Sequence, residues 1–261
     1  ERFLKLVESY LAEAVTLGAK AHAPLAAYRD ALGKIAGLME TFATAKRKDN
    51  LLNEPWAEFA SAQATVAADI MAFGKEAAGQ DKAWVKAERD NVSLNAARAA
   101  LHPLANRCRD LTKQIDLAAT LAGRVIDIAV KELAAREAEA WNNAEVNKAR
   151  KALDEARAAA VEALRHARYF VKQADWLQER FPDAVLSDVE GLVKRVDRAT
   201  VAAHDWSLTP GRFVGVAPEE TDEDFDFDEA LRAIHIDLKG LNEEATELAA
   251  RIAKRFEELG A

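Results

Sequence analysis

Four aspartates at every second position, Asp222, Asp224, Asp226 and Asp228, are the residues whose type and spacing most suggest metal chemistry. Alternating carboxylates begin the calcium loop of EF-hand proteins, in which oxygen ligands surround the ion. That loop also requires a glycine at its sixth position and a glutamate at its twelfth. Neither residue stands in place whether the loop starts at Asp222 or at Asp224. We therefore interpret the run as a solvated linker and helix cap.

The remaining side chains with chemical potential are scattered. Five histidines show no helical i, i+4 pair and no cysteine beside them, which disfavours a metal site; they are His22, His102, His166, His204 and His235. Ser187 and Ser207 stand in no nucleophile motif. The lone Cys108 is interpreted as a small buried residue rather than a reactive thiol. The sequence thus predicts no catalytic, cofactor-binding or metal-ligating residue.

The composition of the chain indicates the secondary structure in which these residues lie. Half of the 261 residues are hydrophobic but only 7% are aromatic, and glycine and proline are few, which favours long helices with small seam residues. The 31% of charged residues suits the solvated faces of such helices. No apolar run is long enough for a membrane span. With no leader at its start, the chain is expected to be cytoplasmic, and an opening without methionine suggests a piece of a longer protein.

Residues 104–181 show the clearest periodicity. Apolar side chains recur there at steps of three and four, which is typical of a coiled-coil seam. These positions are Leu104, Cys108, Leu111, Ile115, Ala118, Ala122 and Val125, then Val146, Ala149, Leu153, Ala156, Ala160, Ala163, Ala167, Phe170, Ala174, Leu177 and Phe181. We predict a long antiparallel helical hairpin with its turn at 141–143, where Asn142 and Glu145 form a capping box. One unbroken helix is the alternative.

The residues before and after the hairpin have a different character. Residues 1–103 are expected to form a small bundle of short helices. Its expected boundaries are marked by glycine, proline and a capping asparagine at Gly18, Pro24, Asn53, Gly74, Gly79 and Pro103. Residues 182–218 are rich in glycine and proline and predict an irregular connector. The expected fold is therefore all-α and elongated.

Residues 219–261 are predicted to be an acidic linker followed by a C-terminal coiled-coil helix. The apolar positions of that helix that are candidates to contact another helix are Leu231, Ile234, Leu238, Leu241, Leu248 and Ile252. A seam of this length cannot be stable alone in water. We therefore expect it to pack on the hairpin, on another protein or on a second copy.

Charge is distributed unevenly along the chain. Residues 146–172 carry a net charge of +4, and residues 219–261 a net charge of −9. Arg157, Arg165, Arg168 and Lys172 could follow a DNA phosphate backbone, although we favour a solvated flank that docks the acidic helix. The overall charge of −8 argues against free, non-specific DNA binding.

Two runs in the connector carry a family resemblance. They are Asp188-Val189-Glu190-Gly191-Leu192-Val193-Lys194 and Asp205-Trp206-Ser207-Leu208-Thr209-Pro210-Gly211-Arg212-Phe213-Val214-Gly215-Val216. Together with the heptad helix that follows, they resemble the tail of the methyltransferase (modification) subunit of type I restriction-modification systems. In that family a Leu-Thr-Pro-Gly-Arg-aromatic-Val-Gly run follows the catalytic domain and precedes a C-terminal coiled coil. The specific match covers roughly residue 176 to the end, and the match is looser before it.

The resemblance implies a function that lies partly outside this chain. The family transfers a methyl group from S-adenosylmethionine to adenine N6 in DNA. That chemistry uses a Gly-rich cofactor loop and an Asn/Asp-Pro-Pro-aromatic loop, and the chain has no Gly-x-Gly and no Pro-Pro. The resemblance therefore implies a non-catalytic C-terminal region without its own cofactor. In the family, these C-terminal helices pack on the DNA-specificity subunit, and DNA is met only within the assembled complex.

A different class of function stays open. The same helical pattern suits a stand-alone adaptor or dimerisation module with no link to methylation. Within the connector motif, Trp206 and Phe213 are expected to anchor in an apolar pocket, with base stacking as the alternative. Arg212 is expected to bond a neighbouring backbone group, with a phosphate contact as the alternative.

Overall fold

The computed structural model describes residues 2–45 and 50–217 and six residues of the C-terminal segment, Leu231, Leu238, Ala245, Thr246, Ala249 and Ile252. These residues belong to two compact units, 1–187 and 188–261. Within the described ranges the chain is helical, and its only extended pairing is the single bridge between Val189 and Val193. The predicted all-α class is confirmed.

The described residues of unit 1 form five α-helices. They are α1 (Arg2–Lys20), α2 (His22–Ala45), α3 (Asn50–Lys86), α4 (Asn91–Lys131) and α5 (Asn143–Arg180). Helix α4 packs between α3 and α5, while α1 and α2 both pack against α3 and α5 but barely touch each other. Since only Ala21 separates them, α1 and α2 together occupy the place of one long helix. Unit 1 therefore has the cross-section of a four-helix bundle.

The predicted hairpin is formed by α4 and α5. Ion pairs join the two helices at Arg98–Asp175 (3.3 Å), Asp116–Arg157 (3.6 Å) and Asp127–Arg150 (3.2 Å). Because the partner's number falls as the residue number rises, the helices run antiparallel. Their connection is longer than expected and contains the 3-10 turn Ala135–Glu137. The predicted cap is present, since the Asn142 side chain accepts a hydrogen bond from the Glu145 N–H at 3.1 Å.

The seam residues of α4 are all buried, from Leu104 to Val125. On α5 the predicted seam positions Ala156, Ala163 and Phe170 are only half-buried, whereas the unpredicted Val161, Leu164 and Val171 are buried. Packing between only two helices would bury one narrow stripe of side chains on each helix. The additional burial arises because α1 and α2 pack on the other side of α5. The hairpin is thus two helices of a larger bundle and not an isolated pair of helices.

Proline explains the break between α1 and α2. Pro24 has no N–H to donate to the Lys20 carbonyl, and its ring would clash with that group in a continuous helix. Helix α1 accordingly ends at Lys20, and the Leu25 N–H bonds the Ala21 carbonyl at 3.1 Å. The expectation that Pro24 lies in the first turn of the next helix is confirmed.

Three other expected breaks lie inside helices. Gly74 and Gly79 are interior to α3, and Pro103 is interior to α4. An added Cβ at Gly74 would lie 3.1 Å from the His22 ring, so this glycine permits close packing of α2 on α3. At Gly74, this packing outweighs the weak helix propensity of glycine. The expected boundary at residue 103 is therefore not a boundary in the structure, where residues 1–187 form one unit.

Two polar side chains of α5, Asp175 and Gln178, are buried. Asp175 contacts the Arg98 guanidinium and the Nδ1 atom of His102, each at 3.3 Å. One turn along, Gln178 is only 4% exposed, and neither its amide oxygen nor its amide nitrogen has a hydrogen-bond partner among the described residues. A buried polar group left unpaired costs stability.

Replacing Gln178 with methionine is therefore expected to stabilise unit 1. The change keeps the length of the side chain and removes two unpaired polar atoms, which is worth about 1–2 kcal/mol in the free energy of unfolding. Urea unfolding followed by circular dichroism measures the change. Gln173→Met, at a half-buried position of the same helix, is the matched control, with an expected change within about 0.5 kcal/mol. Destabilisation by Gln178→Met would show that the amide is paired.

Cys108 offers a probe of the hairpin, because it is the single cysteine of the chain. It is buried, and this burial raises the pKa of its thiol to about 12, against a smaller lowering effect of Arg168. Reaction with a disulfide reagent requires the thiolate. We expect labelling of the native protein to be at least about a hundredfold slower than in urea. Fast labelling without denaturant would contradict the burial of this seam position.

Unit 2 is described mainly between residues 188 and 217. It contains a tight turn closed by the bridge between Val189 and Val193, the short helix α6 (Arg198–Ala203) and a 3-10 turn at Pro210–Arg212. The Asp197 side chain caps α6 by accepting a hydrogen bond from the Thr200 N–H at 2.7 Å. Between residues 188 and 217 the structure shows no buried side chain.

Candidate protein-interaction surface

The described residues of the C-terminal segment include one regularly spaced row. Leu231, Leu238, Ala245 and Ile252 lie seven residues apart, and each is helical. A spacing of seven returns to nearly the same side of a helix. Leu231 and Leu238 are each 54% exposed, Ile252 is 49% exposed, and Ala245 is exposed as well. We call these four residues the heptad row.

Three of the six predicted contact residues, Leu231, Leu238 and Ile252, belong to the heptad row. The other three, Ile234, Leu241 and Leu248, lie outside the described residues. Large aliphatic side chains half exposed in register differ from the single exposed apolar residues that are common on protein surfaces. At heptad spacing they form the contact face that a second helix covers in a coiled coil.

Glycine holds the two ends of the connector together. The Gly191 N–H donates to the Val214 carbonyl at 2.6 Å, and Gly191 adopts φ +75°. A Cβ on Gly191 would overlap the backbone of Ala217. Only a glycine permits both the left-handed conformation and this close approach. The two runs that carry the family resemblance are therefore in direct backbone contact.

Asp188 organises the turn at the start of unit 2. Its carboxylate contacts the Lys194 ammonium at 2.8 Å and accepts a hydrogen bond from the Arg195 N–H at 3.0 Å. These contacts lower the pKa of Asp188 to about 2, with the Lys194 hydrogen bond as the largest cause. The ionised carboxylate therefore contributes fully to the stability of the turn above about pH 4, and this contribution is lost as the pH falls through 2.

An NMR titration of the side-chain carboxyl carbon is expected to show this midpoint near 2 for Asp188. Replacing Lys194 with methionine removes the hydrogen bond that lowers the pKa of Asp188 most. The pKa is then expected to move toward its ordinary value of 3.8. Lys151→Met is the control, because Lys151 pairs instead with Glu155 on α5. A midpoint near 4 in the unmodified chain would contradict the carboxylate contacts.

The motif residues Leu208–Phe213 lie at the surface of unit 2. Pro210–Arg212 form the 3-10 turn, while Leu208, Thr209 and Arg212 are exposed. Phe213 is half-buried, and its ring meets that of His204 edge to face at 5.1 Å. The turn closes through hydrogen bonds to the Thr209 and Pro210 carbonyls.

The exposure of Trp206 differs from what the sequence predicted. Its side chain is 59% exposed, so the predicted anchoring of this residue in an apolar pocket is wrong. Its backbone explains the orientation, because Asp205 and Trp206 both adopt positive φ where the chain leaves α6. The Trp206 N–H bonds the Val201 carbonyl at 3.0 Å, as at many helix ends with a left-handed residue. The Arg198 guanidinium lies 5.5 Å from the indole centroid.

The four basic candidates for a DNA backbone belong to α5. The Arg157 guanidinium pairs with Asp116 of α4 at 3.6 Å. Burial raises the pKa of Asp116, and the positive charges of Arg157 and Arg165 oppose this effect. Arg168 acts electrostatically on the Cys108 thiol of α4, and Lys172 is half-buried. An interhelical role accounts for the position of Arg157 without a nucleic acid.

Comparison of this chain with protein-family models, curated proteins and solved structures found no match. Its resemblance to a family thus rests on the residues quoted from the sequence. Among the described residues no group of three His, Cys, Asp or Glu side chains is placed to hold a metal ion. No helix in the described ranges is both long and apolar enough to cross a membrane.

Sequence reasoning gave no role to several residues that organise the structure. Asp188 was noted only as part of a motif, and Gly191 was noted in addition only as a residue that interrupts the segment 189–196. Asp175 and Gln178 directly follow the seam residues Ala174 and Leu177. Polar residues beside a seam become buried only when a third helix covers them, and the periodicity of one helix does not show that.

Proposed function

We propose that this chain is the non-catalytic C-terminal assembly region of a type I restriction-modification DNA adenine-N6 methyltransferase subunit, and that it docks the DNA-specificity subunit. The single observation that carries the docking role is the exposed heptad row. Leu231, Leu238 and Ile252 leave about half of their surface in water, which is unfavourable for aliphatic side chains that can be covered. A partner helix that covers them recovers this free energy.

The link to this family is supported by the connector. Residues 195–204 separate the two runs that resemble the family, yet Gly191 bonds Val214 and approaches Ala217 closely. Residues from both runs thus contribute to one local structure, which gives a physical reason for their joint occurrence. The methyl donor S-adenosylmethionine is assigned to the parent subunit by the resemblance alone.

Binding to a purified type I specificity subunit, the partner that the resemblance implies, tests the proposal. Leu238→Glu places a charge at the centre of the heptad row and is expected to weaken the affinity at least about thirtyfold, the effect of a strong interface residue. Isothermal titration calorimetry with purified proteins measures the affinity. Circular dichroism verifies that the variant keeps its helices.

Thr246→Glu is the matched control. Thr246 is helical and exposed, and it lies about 100° around the helix from Ala245, away from the heptad row. We expect its affinity to stay within about twofold of the unmodified chain, as for substitutions outside the contact face. Equal affinities of Leu238→Glu and the unmodified chain would reject the heptad row as the docking surface. Absence of any binding would reject the specificity subunit as the partner.

The coding sequence provides an independent check. A reading frame that continues upstream into a Gly-rich loop and a Pro-Pro-aromatic motif would support the family assignment. A start codon directly before Glu1 would remove it and leave the stand-alone adaptor as the better proposal.

A further inference from the structure

We propose that a cavity of unit 1, between the C-terminal end of α3 and the N-terminal part of α4, binds a small uncharged aromatic molecule with one hydrogen-bond donor, such as an indole or a phenol. The cavity is distinct from the heptad row, and its use does not depend on the proposed function. Three features point to this ligand: the apolar lining, the fixed ring of Trp84 and an acceptor atom of Gln80.

The cavity lies where α3 and α4 present alanine to each other. Its volume is about 260 Å³, and the buried Val15 and Leu101 also line it, so it reaches the core of unit 1. An apolar cavity of about 150 Å³ already holds benzene, so this one has room for two fused rings. The alanines that line it are Ala83, Ala87, Ala96, Ala97 and Ala100.

Trp84 supplies an aromatic wall that is fixed in place. The Arg89 guanidinium lies 3.9 Å from the centroid of the Trp84 ring, and it donates a hydrogen bond to the Trp84 carbonyl at 3.1 Å. The same guanidinium pairs with Glu8 of α1 at 3.3 Å, which neutralises its charge. Because this wall is already ordered, a ligand ring that packs on it does not have to immobilise the indole.

The lining also sets the charge of the ligand. None of the described residues that line the cavity is charged. A carboxylate or an ammonium group would therefore lose water there without gaining an opposite charge, which is unfavourable. An uncharged ring loses only apolar contact with water, and that loss favours binding.

Gln80 adds one directional group to the apolar walls. Its Nε2 atom donates to the Ala100 carbonyl at 2.9 Å, which holds the amide across from α3 to α4. Its Oε1 atom has no hydrogen-bond partner among the described residues. The other polar lining residue, Ser93, instead bonds the Asp90 carboxylate that caps α4. An indole N–H or a phenol O–H can donate to the Gln80 oxygen while the ring packs on alanine methyl groups and on Trp84.

Titration of the full chain with indole, followed by two-dimensional amide NMR, tests the proposal. We expect a dissociation constant below about 1 mM, with the largest shifts at the residues that line the cavity. Ala97→Leu and Ala83→Leu fill the cavity from α4 and from α3, and each is expected to weaken binding at least about tenfold. Ala99→Leu is the matched control, because Ala99 is exposed on α4 outside the cavity, and its affinity should stay within about twofold.

Benzofuran tests the hydrogen bond, since it has the fused rings of indole with an oxygen in place of the N–H. We expect it to bind about threefold to tenfold more weakly than indole. Failure of indole to bind the unmodified chain would overturn the proposal, and so would binding that both leucine variants leave unchanged. Equal affinities of benzofuran and indole would overturn the assignment of a donor-bearing ligand. Because Ala83 is exposed, Ala83→Leu keeps the test decisive if Ala97→Leu does not fold.

Discussion

Replacing Phe42 with alanine is expected to lower the free energy of unfolding of unit 1 by about 3–5 kcal/mol, because it removes a large side chain from a closed core. Phe42 of α2 is fully buried, and its ring packs edge to face on the indole of Trp141 at a centroid distance of 5.3 Å. Trp141 belongs to the connection between α4 and α5. The substitution thus opens a cavity and removes the support of that connection at the same time.

Urea unfolding followed by circular dichroism checks this expectation. Met71→Ala is the matched control, since Met71 of α3 is exposed and its truncation is expected to cost less than about 0.5 kcal/mol. Because the full loss could leave the alanine variant largely unfolded, Phe42→Leu gives an intermediate point with an expected cost of about 1–1.5 kcal/mol. Equal stabilities of the three variants would contradict the packing of α2 against the connection.

Replacing Gly191 with alanine is expected to separate the two ends of the connector. An alanine at φ +75° costs about 1–2 kcal/mol, and its Cβ would overlap the Ala217 backbone. The hydrogen bond from the Gly191 N–H to the Val214 carbonyl contributes only about 0.5–1.5 kcal/mol, so strain and overlap together exceed it. We therefore expect this hydrogen bond to break when the methyl group is added.

Amide hydrogen exchange measures this loss. The hydrogen bond to Val214 should slow the exchange of the residue 191 amide in the unmodified chain. We expect this exchange to be at least about tenfold faster in the alanine variant, with the urea transition of unit 1 unchanged. Gly211→Ala is the control, because an added Cβ there has open space around it and Gly211 has no positive φ. Equal protection of residue 191 in both variants would contradict the close approach to Ala217.

Much of the bundle interior could be predicted from the sequence. All seven seam positions predicted on α4 from Leu104 to Val125 are buried, although Ala105 and Leu121 were missed, and Asn142 was identified as the cap of α5. These features depend on one helix at a time, so local periodicity is sufficient. The number of helices that surround α5 is a tertiary property, and Val161 and Val171 therefore could not be assigned.

The boundaries were predicted less well for a physical reason. Glycine and proline disfavour helix locally, but Gly74 is retained inside α3 because His22 packs against it, and Pro103 lies between the buried Leu101 and Leu104 of α4. In the candidate site, the sequence identified Leu231, Leu238 and Ile252 as contact residues. Their exposure could be seen only in the structure. The exposed Trp206 was assigned wrongly, since its left-handed backbone is not visible in residue types.

The arrangement of α1 on α5 has a consequence for biosynthesis. Helix α1 ends at Lys20, whereas α5 begins only at Asn143, about 120 residues later. At about 5–20 residues per second, the ribosome needs on the order of 6–25 seconds to supply the helix on which α1 packs. During that time Val7, Leu11 and Val15, which are buried in the finished bundle, lack the cover that α5 provides. We therefore expect a chain stalled before Asn143 to bind chaperones that hold exposed apolar helices, and to complete its folding once α5 has left the exit tunnel.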